Sequence, residues 1–272
     1  MSAPARDDLA DIMRYYEGNA EAERCLRQRL EYCITQCLLA HYLPKSAHIL
    51  ELGAGAGNYT LELAERGHRV TAVEPVPSLA GTLRRRAAEQ GLGSRVSVCP
   101  VDARDLAGVE GPFDAALVMG PLYHLQSADE RRLLLTEVRR RLAPGGIVLA
   151  GYLTRIGFVA RVMYQQAGGI GQLRGGLEAM IRDGFDPNHP RDGTFRGYFC
   201  HPEEIAPELA SAGLEPRAIH CQDPAIGAVD EIFNLQAPEL QRQWLEILLP
   251  LTAHPSSWGS GRSLLAVASV PR

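Results

Sequence analysis

Short apolar runs alternate with helical patterns along most of the chain. The runs cover residues 48–52, 69–74, 95–101, 113–119 and 147–153. Their length and composition are typical of strands buried in a parallel sheet. Apolar residues at helical spacing fill the segments between most of them. The alternation predicts an α/β fold, because parallel strands need a crossover connection, usually a helix, between them.

A glycine-rich turn follows the first predicted strand. The strand ends with an acid, Glu51, and glycine then occupies positions 53, 55 and 57. Since glycine lacks a Cβ atom, the backbone can bend tightly there and a ligand can approach it closely. Strand, turn and following helix predict the first half of a nucleotide-binding βαβ unit. The dinucleotide fingerprint would require a further glycine where this chain has Asn58.

Acidic residues follow the second and third predicted strands. Glu74 closes the second strand, where a carboxylate can accept hydrogen bonds from both hydroxyls of a ribose. NAD enzymes share this feature, so Glu74 indicates a nucleoside without identifying it; a solvated acid at a strand end is the alternative. Asp102 follows the third strand, with Arg104 and Asp105 as neighbours that suit the next turn better.

Two motifs carry a resemblance to a known family. The acidic-x-Gly-x-Gly-x-Gly pattern of residues 51–57 resembles motif I of class I S-adenosylmethionine (SAM) methyltransferases, and the Leu-x-Pro-Gly-Gly turn of residues 142–146 is similar to a second mark of that family. The resemblance covers about residues 47–153 closely. It implies a Rossmann-like, doubly wound, seven-stranded sheet, mostly parallel with an antiparallel last strand. It also implies methyl transfer from SAM to a small-molecule acceptor, with S-adenosylhomocysteine (SAH) as the product.

The resemblance also assigns the cofactor contacts. An acid such as Asp102 contacts the adenine amino group, the backbone of Ala103 faces an adenine ring nitrogen, and the backbone after the fourth strand contacts the methionine part. The residues expected to bind SAM are Glu51, Gly53, Ala54, Gly55, Gly57, Glu74, Pro75, Asp102, Ala103, Met119, Gly120 and Tyr16.

The loop after the fourth strand holds the candidate catalytic residues, Tyr123 and His124. Ligands of doubly wound sheets bind beyond the carboxyl ends of the strands, so this loop should face the methyl group. His124 is a candidate general base with a pKa near neutrality; packing at the next helix is the alternative. Its Gly-Pro-Leu-Tyr sequence departs from the Asn-Pro-Pro-Tyr pattern of nucleic-acid and amide N-methylating relatives, so an O-, N- or C-acceptor stays open.

Three further residues are candidates for binding the acceptor: Tyr15, Tyr198 and His201. Tyr15 can instead pack against the sheet, and His201 can simply begin a helix. A glycine-rich stretch within residues 155–198 interrupts the alternation and predicts a helical lid over the cofactor. The expected divisions of the single domain are an N-terminal helical cap (1–44), a SAM-binding core (45–154), the lid (155–198) and a C-terminal part of the core (199–272).

Details outside the core complete the expected architecture. Residues 7–43 are predicted to be helical with a break near Gly18, and residues 20–43 form one long helix. Residues 263–270 are expected to form the last strand, in an antiparallel hairpin at the sheet edge.

Composition narrows the class of protein. The 272 residues carry a net charge of −4, which disfavours nucleic acid as a partner. The polar start of the sequence and the lack of a long apolar run predict a cytoplasmic protein without a membrane partner. Cys33, Cys37 and His41 lie at helical spacing, but core packing suits these cysteines better, so no metal is expected. A homodimer stays open.

Two other functions are compatible with the motifs. One is an NAD-dependent oxidoreductase, against which Asn58 argues. The other is a non-catalytic protein that binds SAM or SAH, or a relative that uses the same fold for another reaction.

Overall fold

One mixed sheet of seven strands organises the molecule. The computed structural model describes residues 5–17, 23–189, 194–224 and 229–272. The strands are β1 (His48–Leu52), β2 (Arg69–Val73), β3 (Val96–Cys99), β4 (Phe113–Val118), β5 (Leu142–Leu153), β6 (Glu215–Cys221) and β7 (Ser263–Ser269). Their spatial order is β3-β2-β1-β4-β5-β7-β6. The first five strands pair in parallel, and β7 is antiparallel to both β5 and β6. The predicted Rossmann-like sheet is confirmed.

The last strand, β7, is antiparallel as predicted. It lies between β5 and β6, so the expected antiparallel pair stands at the sheet edge with β6 as its outer strand. All seven residues of β7 are buried, whereas the first three residues of β6 are exposed. A strand covered on both faces and paired on both edges needs a continuous apolar run. The run Leu264–Ala268 is the sequence signal of this interior place.

Helices cover both faces of the sheet. They are α1 (Ala5–Glu17), α2 (Arg24–Arg27), α3 (Arg29–Tyr42), α4 (Asn58–Glu65), α5 (Pro77–Glu89), α6 (Pro121–His124), α7 (Ala128–Arg141), α8 (Arg155–Gln166), α9 (Ile170–Asp183), α10 (Pro202–Ser211), α11 (Val229–Asn234), α12 (Pro238–Thr252) and α13 (Pro255–Trp258). Within the described ranges, no helix is long and apolar enough to cross a membrane.

Two helical predictions need correction. The long helix expected over residues 20–43 is interrupted at Gln28, whose φ of −111° and ψ of 55° are not helical. The break predicted near Gly18 lies outside the described residues. In the predicted lid, the sequence indicates a helix over residues 177–181 after the glycines, but α9 begins at Ile170 and continues through Gly171, Gly175 and Gly176. Burial of Ala179 and Met180 and a left-handed cap at Gly184 stabilise this helix despite its glycines.

The apolar core has two main layers, one on each face of the sheet. Leu50 and Leu52 of β1 belong to the layer that includes α7 and α10. Ile49, which points the other way, belongs to the layer that includes α3. Side chains alternate across a strand, so burial on both faces fixes the register. The rigid sheet therefore sets the positions of the turns that follow its strands.

Candidate active site

A cavity lies beyond the carboxyl ends of the four strands β1 to β4. It encloses about 940 Å³ of empty space that opens to solvent. The chain order reverses between β1 and β4, the place where ligands of doubly wound sheets bind. Among the expected cofactor residues, those that line the cavity are Gly53, Ala54, Gly55, Glu74, Pro75, Asp102, Ala103, Met119, Gly120 and Tyr16. Glu51 and Gly57 do not line it.

Glycines shape the turn after β1. Gly53 has a φ of 74°, and a Cβ atom there would lie 2.9 Å from Cδ of Pro121. Gly57 has a φ of 86°, and a Cβ atom there would lie 2.2 Å from Cδ1 of Leu83. Left-handed backbone and close neighbours both exclude a larger side chain. Gly53 therefore borders the cavity, whereas Gly57 serves the packing of α5 beneath it.

The Glu74 carboxylate is fixed by the backbone on two sides. Its Oε2 accepts the N–H of Gly55 at 2.7 Å, and its Oε1 accepts the N–H of Val76 at 2.9 Å. Only 4% of Glu74 is exposed. Each carboxylate oxygen can accept a second hydrogen bond, so the group offers acceptors to a ligand in the cavity.

Glu51 lies below the turn. It is 1% exposed, and its Oε2 accepts a hydrogen bond from Thr60 Oγ1 at 2.6 Å. Burial raises the pKa of Glu51 to about 7; the Thr60 hydroxyl opposes this shift and nearby Glu74 adds to it. The sequence-based expectation of a direct cofactor contact is not supported by this placement, because the carboxyl group joins β1 to α4.

Asp102 and Arg104 form an ion pair in the cavity wall. The Nη2 of Arg104 lies 2.6 Å from Oδ2 of Asp102, and the backbone N–H of Arg104 donates to Oδ1 at 2.9 Å. Ala103 is buried between them and also lines the cavity. Arg104, assigned above only to the next turn, is therefore a site residue that the sequence reasoning missed.

Sequence reasoning missed much of the apolar wall as well. α1 contributes Leu9 and Ile12 in addition to Tyr16, and α5 contributes Leu79. The helical spacing of the three α1 residues is a signal that could have identified this face. Arg24 on α2 also lines the cavity and brings a positive charge that no motif indicated.

His124 is held by hydrogen bonds at both ring nitrogens. Its Nδ1 lies 3.2 Å from the carbonyl oxygen of Arg196, and its Nε2 lies 2.9 Å from the hydroxyl of Tyr16. A carbonyl only accepts, so Nδ1 carries the proton and Nε2 accepts from Tyr16. Burial lowers the pKa of His124 to about 4, while the Arg196 carbonyl opposes the shift. The expected pKa near neutrality is wrong; the imidazole is neutral at pH 7.

A second cavity adjoins the first and contains about 1630 Å³ of empty space, part of which is open solvent. Residues common to both are Tyr16, Arg24, Tyr59, Met119 and Tyr123. Tyr15 lines the second cavity, and its ring meets that of Phe195 with centroids 5.5 Å apart. Much of the remaining wall comes from α8 and from the residues after α9.

Tyr198 and His201 do not line either cavity. The Tyr198 hydroxyl donates to the carboxylate of Glu204, and the Arg131 guanidinium lies 3.7 Å from the centre of its ring. Burial raises the pKa of Tyr198 to about 12, and Glu204 adds to the shift. His201 is exposed at the start of α10. Their placement supports structural roles, so neither is brought to the acceptor side of the site.

Within the described part of the chain, no group of three or more His, Cys, Asp or Glu side chains is arranged to hold a metal ion. Cys33 and Cys37 lie on α3, and burial raises the pKa of both thiols. Cys33 packs against the core layer that includes α3.

The family follows from a comparison with known proteins. Residues 49–146 match a family model described as "Methyltransferase domain". These residues form a SAM-dependent methyltransferase domain. The match covers the glycine turn, the Glu74 and Asp102 positions and the loop after β4, which together form the first cavity.

The methyltransferase is similar to curated proteins with different acceptors. It is 26% identical over 190 residues to tRNA 5-carboxymethoxyuridine methyltransferase of Escherichia coli O157:H7. The matched region covers 69% of this chain and 70% of that protein. It is 38% identical over 108 residues to ubiquinone biosynthesis O-methyltransferase of Methylocella silvestris, covering 39% of this chain and 40% of the other.

A solved structure shares the fold. The structure of Burkholderia thailandensis 1,6-didemethyltoxoflavin-N1-methyltransferase, with 1,6-didemethyltoxoflavin and SAH bound, is similar to this one with a TM-score of 0.59 and 20% sequence identity. The similarity covers 100% of this chain and 94% of that one.

 A TM-score of 0.59 shows that the two proteins share a fold. This shared fold reaches beyond residues 49–146, which the family model matches.

Proposed function

We propose that this methyltransferase transfers the methyl group of SAM to a small-molecule acceptor held in the second cavity. The observation that carries the proposal is the junction of the two cavities at Tyr16, Met119 and Tyr123. A cofactor in the first cavity and an acceptor in the second would meet at these residues. The predicted lid, residues 155–198, contributes to the second cavity alone and so bears on acceptor choice.

The donor and acceptor groups of the first cavity suit SAM. Glu74 offers carboxylate oxygens for the ribose hydroxyls, and Asp102 offers an acceptor for the adenine amino group. The guanidinium of Arg24 lines both cavities and suits the carboxylate of the methionine part. When bound, SAM supplies an electrophilic methyl group on a sulfonium.

The chain itself contributes mainly position and exclusion of water. Alignment of two reactants is worth up to ~7–11 kcal/mol in well-oriented systems. Tyr16, Tyr123 and His124 form an aromatic group at the junction, with the Tyr16 and His124 ring centroids 5.5 Å apart. Because His124 has a pKa of about 4, it is a weak base at neutral pH. We therefore infer that it positions Tyr16, and that the acceptor reaches the site already nucleophilic.

A tRNA nucleoside is the second candidate acceptor. It is favoured by the similarity to a protein named as a tRNA methyltransferase over 69% of this chain. Against it stands the net charge of −4, since proteins that bind RNA neutralise many phosphates with Lys and Arg. The charge balance supports a small molecule instead.

Labelled SAM separates the two candidates. The protein is incubated with labelled SAM and either a metabolite extract or total tRNA, and the products are separated by size. We expect label in small molecules and none in RNA. Label in tRNA would overturn the small-molecule proposal. Tight SAH binding without product in either sample would indicate a non-catalytic binding protein.

The homodimer and the cytoplasmic location remain predictions. Sedimentation equilibrium of the purified protein, with and without SAH, tests the first of them.

A further inference from the structure

The charges around the second cavity differ in sign from the charge of the whole chain. Apart from histidine, the charged residues that line it among the described residues are Arg24, Arg161, Arg262 and Glu31. Three guanidinium groups and one carboxylate thus surround a cavity in a protein whose net charge is −4. The Asp223 carboxylate pairs with Arg262 just outside this lining, which leaves a local excess of one positive charge. That excess favours a negatively charged occupant.

Arg24 and Glu31 form one part of this set. The Nη1 of Arg24 lies 3.2 Å from Oε1 of Glu31, and Glu31 Oε2 accepts a hydrogen bond from Ser263 at 3.3 Å. Arg24 also faces the cofactor cavity, where it suits the methionine carboxylate. The remaining two arginines belong to the second cavity alone.

Arg262 is built into its position. Its Nε lies 2.7 Å from Oδ2 of Asp223, and its backbone N–H donates to Oδ1 of the same carboxylate at 2.9 Å. Asp223 is 5% exposed and also accepts the backbone N–H of Ser263. Burial raises the pKa of Asp223 to about 6, and the positive charge of Arg262 opposes that rise. The acid therefore orients the guanidinium, which is a positively charged group held ready for a ligand.

Helix α8 brings Arg161 to the same wall. A Cβ atom on Gly157 would lie 2.4 Å from Cα of Arg262, so only glycine allows this close approach. Thr154, the N-cap of α8, donates its backbone N–H to the carbonyl of Arg262 at 2.9 Å. Arg161 follows Gly157 by one helical turn, on the same face of α8. The close contact at Gly157 therefore brings the backbone of Arg262 to the face of α8 that carries Arg161, and both arginines line the cavity.

Aromatic rings form another part of the wall. The ring centroids of Phe158 and Phe199 lie 4.3 Å apart, those of Phe199 and Phe195 6.1 Å, and those of Phe195 and Tyr15 5.5 Å. All four residues line the second cavity. Such a row of rings packs well against a flat, apolar body.

We propose that the acceptor is an acid: a planar molecule that packs on the aromatic row and carries a carboxylate or phosphate bound by Arg161 and Arg262. Guanidinium groups match the two-oxygen geometry of both anions. The inference rests on the proposed function in so far as the occupant of this cavity is the methyl acceptor.

Binding of small probes to the SAH-saturated enzyme tests the anion site without any methyl transfer. Benzoate is compared with benzamide, and phenyl phosphate with phenol, by ligand-observed NMR titration. We expect at least one anion to bind about 10-fold more tightly than its neutral partner, a difference that corresponds to ~1.4 kcal/mol. The pair with the larger difference identifies carboxylate or phosphate as the preferred group. Equal affinity within both pairs would overturn the proposal.

Variants assign the preference to the two arginines. Arg161→Gln and Arg262→Lys should each reduce the preference for the anion at least threefold while SAH affinity stays unchanged. The lysine variant keeps a positive charge beside Asp223, so that the buried acid is not left alone. Arg174→Gln, an exposed change on α9 in an ion pair with Glu178, is the matched control and should have no effect. A preference that survives both cavity variants would place the anion elsewhere and contradict the proposal.

Fractionation of a metabolite extract connects the site to the reaction. The extract is divided by anion exchange at pH 7, and each fraction is incubated with labelled SAM. We expect product only from the retained, acidic fractions; product only from the neutral fractions would overturn the acidic acceptor but leave methyl transfer intact. A clear preference for benzoate or phenyl phosphate without product from any fraction would uphold the anion site and count against the proposed function.

Discussion

At the scale of single residues, Glu74 links the fold to the cofactor. Its carboxylate fixes the glycine turn through Gly55 and the start of the next helix through Val76, and it also faces the first cavity. This role could be predicted from the sequence because it depends on local features: a buried strand, a turn and an acid at the next strand end. The hydrogen bonds from the backbone N–H groups of Gly55 and Val76 could not be predicted, since they depend on the backbone path of the turns after β1 and β2.

Glu74→Gln should weaken SAH binding by about 10- to 100-fold. The amide loses the negative charge, and its NH₂ group cannot accept from Val76 or from a ribose hydroxyl; hydrogen bonds to charged groups are worth ~1.5–3 kcal/mol. Isothermal titration calorimetry with SAH measures the change. Glu65→Gln, an exposed substitution on α4, is the control. Affinity equal to that of the control would remove Glu74 from the ribose site.

His124 shows where local sequence is not sufficient. The residue was identified from its place after β4, but its pKa depends on burial and on Arg196, and its Nε2 on Tyr16 of α1. These partners are remote along the chain, so no spacing indicates them. The same holds for Arg262, whose orientation depends on Asp223.

The lowered pKa of His124 predicts a pH dependence of stability. Unfolding releases the ring, whose pKa rises from about 4 to its ordinary value of 6.5. The unfolded chain then binds a proton that the folded one does not, so this contribution is complete above pH 6.5 and is lost as pH falls towards 4. The loss should reach about 2–3 kcal/mol.

Urea unfolding between pH 7 and pH 4 measures this loss. His124→Gln cannot titrate and can still bond with Tyr16 and Arg196, so its free energy of unfolding should fall less steeply with decreasing pH than that of the wild type. Other buried histidines affect both proteins equally and cancel in the difference. Parallel curves would show that His124 titrates normally in the folded state.

At the scale of elements, the turn after β1 packs closely against helix α5 because Gly57 has no side chain. Leu83 of α5 occupies the space that a Cβ atom on Gly57 would need. The motif could be predicted from sequence, and the reason for its third glycine could not, because Leu83 lies in a later helix. The structure gives this glycine a packing role in place of a ligand contact.

Gly57→Ala should destabilise the protein by about 2–5 kcal/mol. Left-handed backbone costs a residue with a Cβ atom ~1–2 kcal/mol, and overpacking against Leu83 adds ~1–3 kcal/mol. Gly81→Ala, in the exposed part of α5 where nothing lies within 4 Å, should instead stabilise it by up to ~1 kcal/mol. Equilibrium unfolding in urea compares the two. Equal effects of the two substitutions would contradict the packing role of Gly57.

The hydrophobic periodicity predicted the existence of individual helices and strands better than it predicted where they begin and end. β1 has the predicted bounds because its apolar run is sharply delimited. β5 begins at Leu142, before the predicted start, because Leu142 already pairs with Phe113, and the Pro-Gly-Gly segment lies in the irregularity before Ile147. No glycine or proline near Gln28 indicates the interruption there. Such boundaries depend on tertiary contacts that outweigh local propensity.

At the scale of the whole molecule, the cofactor cavity is bordered by α1, α2 and the turns after four strands. A ligand that contacts all of them binds the folded chain and has no equivalent site on the unfolded one. Binding there therefore couples to global stability.

SAH should stabilise the enzyme by about 2.7 kcal/mol at a free concentration 100 times its dissociation constant. For a chain of this size that corresponds to a rise in Tm of roughly 5–10 °C, if ~2–4 °C per kcal/mol applies. Differential scanning calorimetry with increasing SAH measures the shift, and Glu74→Gln should need a higher concentration for the same rise. No shift at millimolar SAH would contradict binding to the folded chain.

The interior place of β7 also bears on how the chain acquires its structure during synthesis. β1 to β5 can pair with one another as soon as they leave the ribosome, since each has at least one neighbouring strand encoded within residues 48–153. β6 has no strand to join until Ser263–Ser269 has emerged, because β7 is its sole neighbour in the described sheet. A nascent polypeptide stalled shortly before residue 263 would thus expose the apolar edge of β5, and recruitment of a chaperone is most to be expected at that stage.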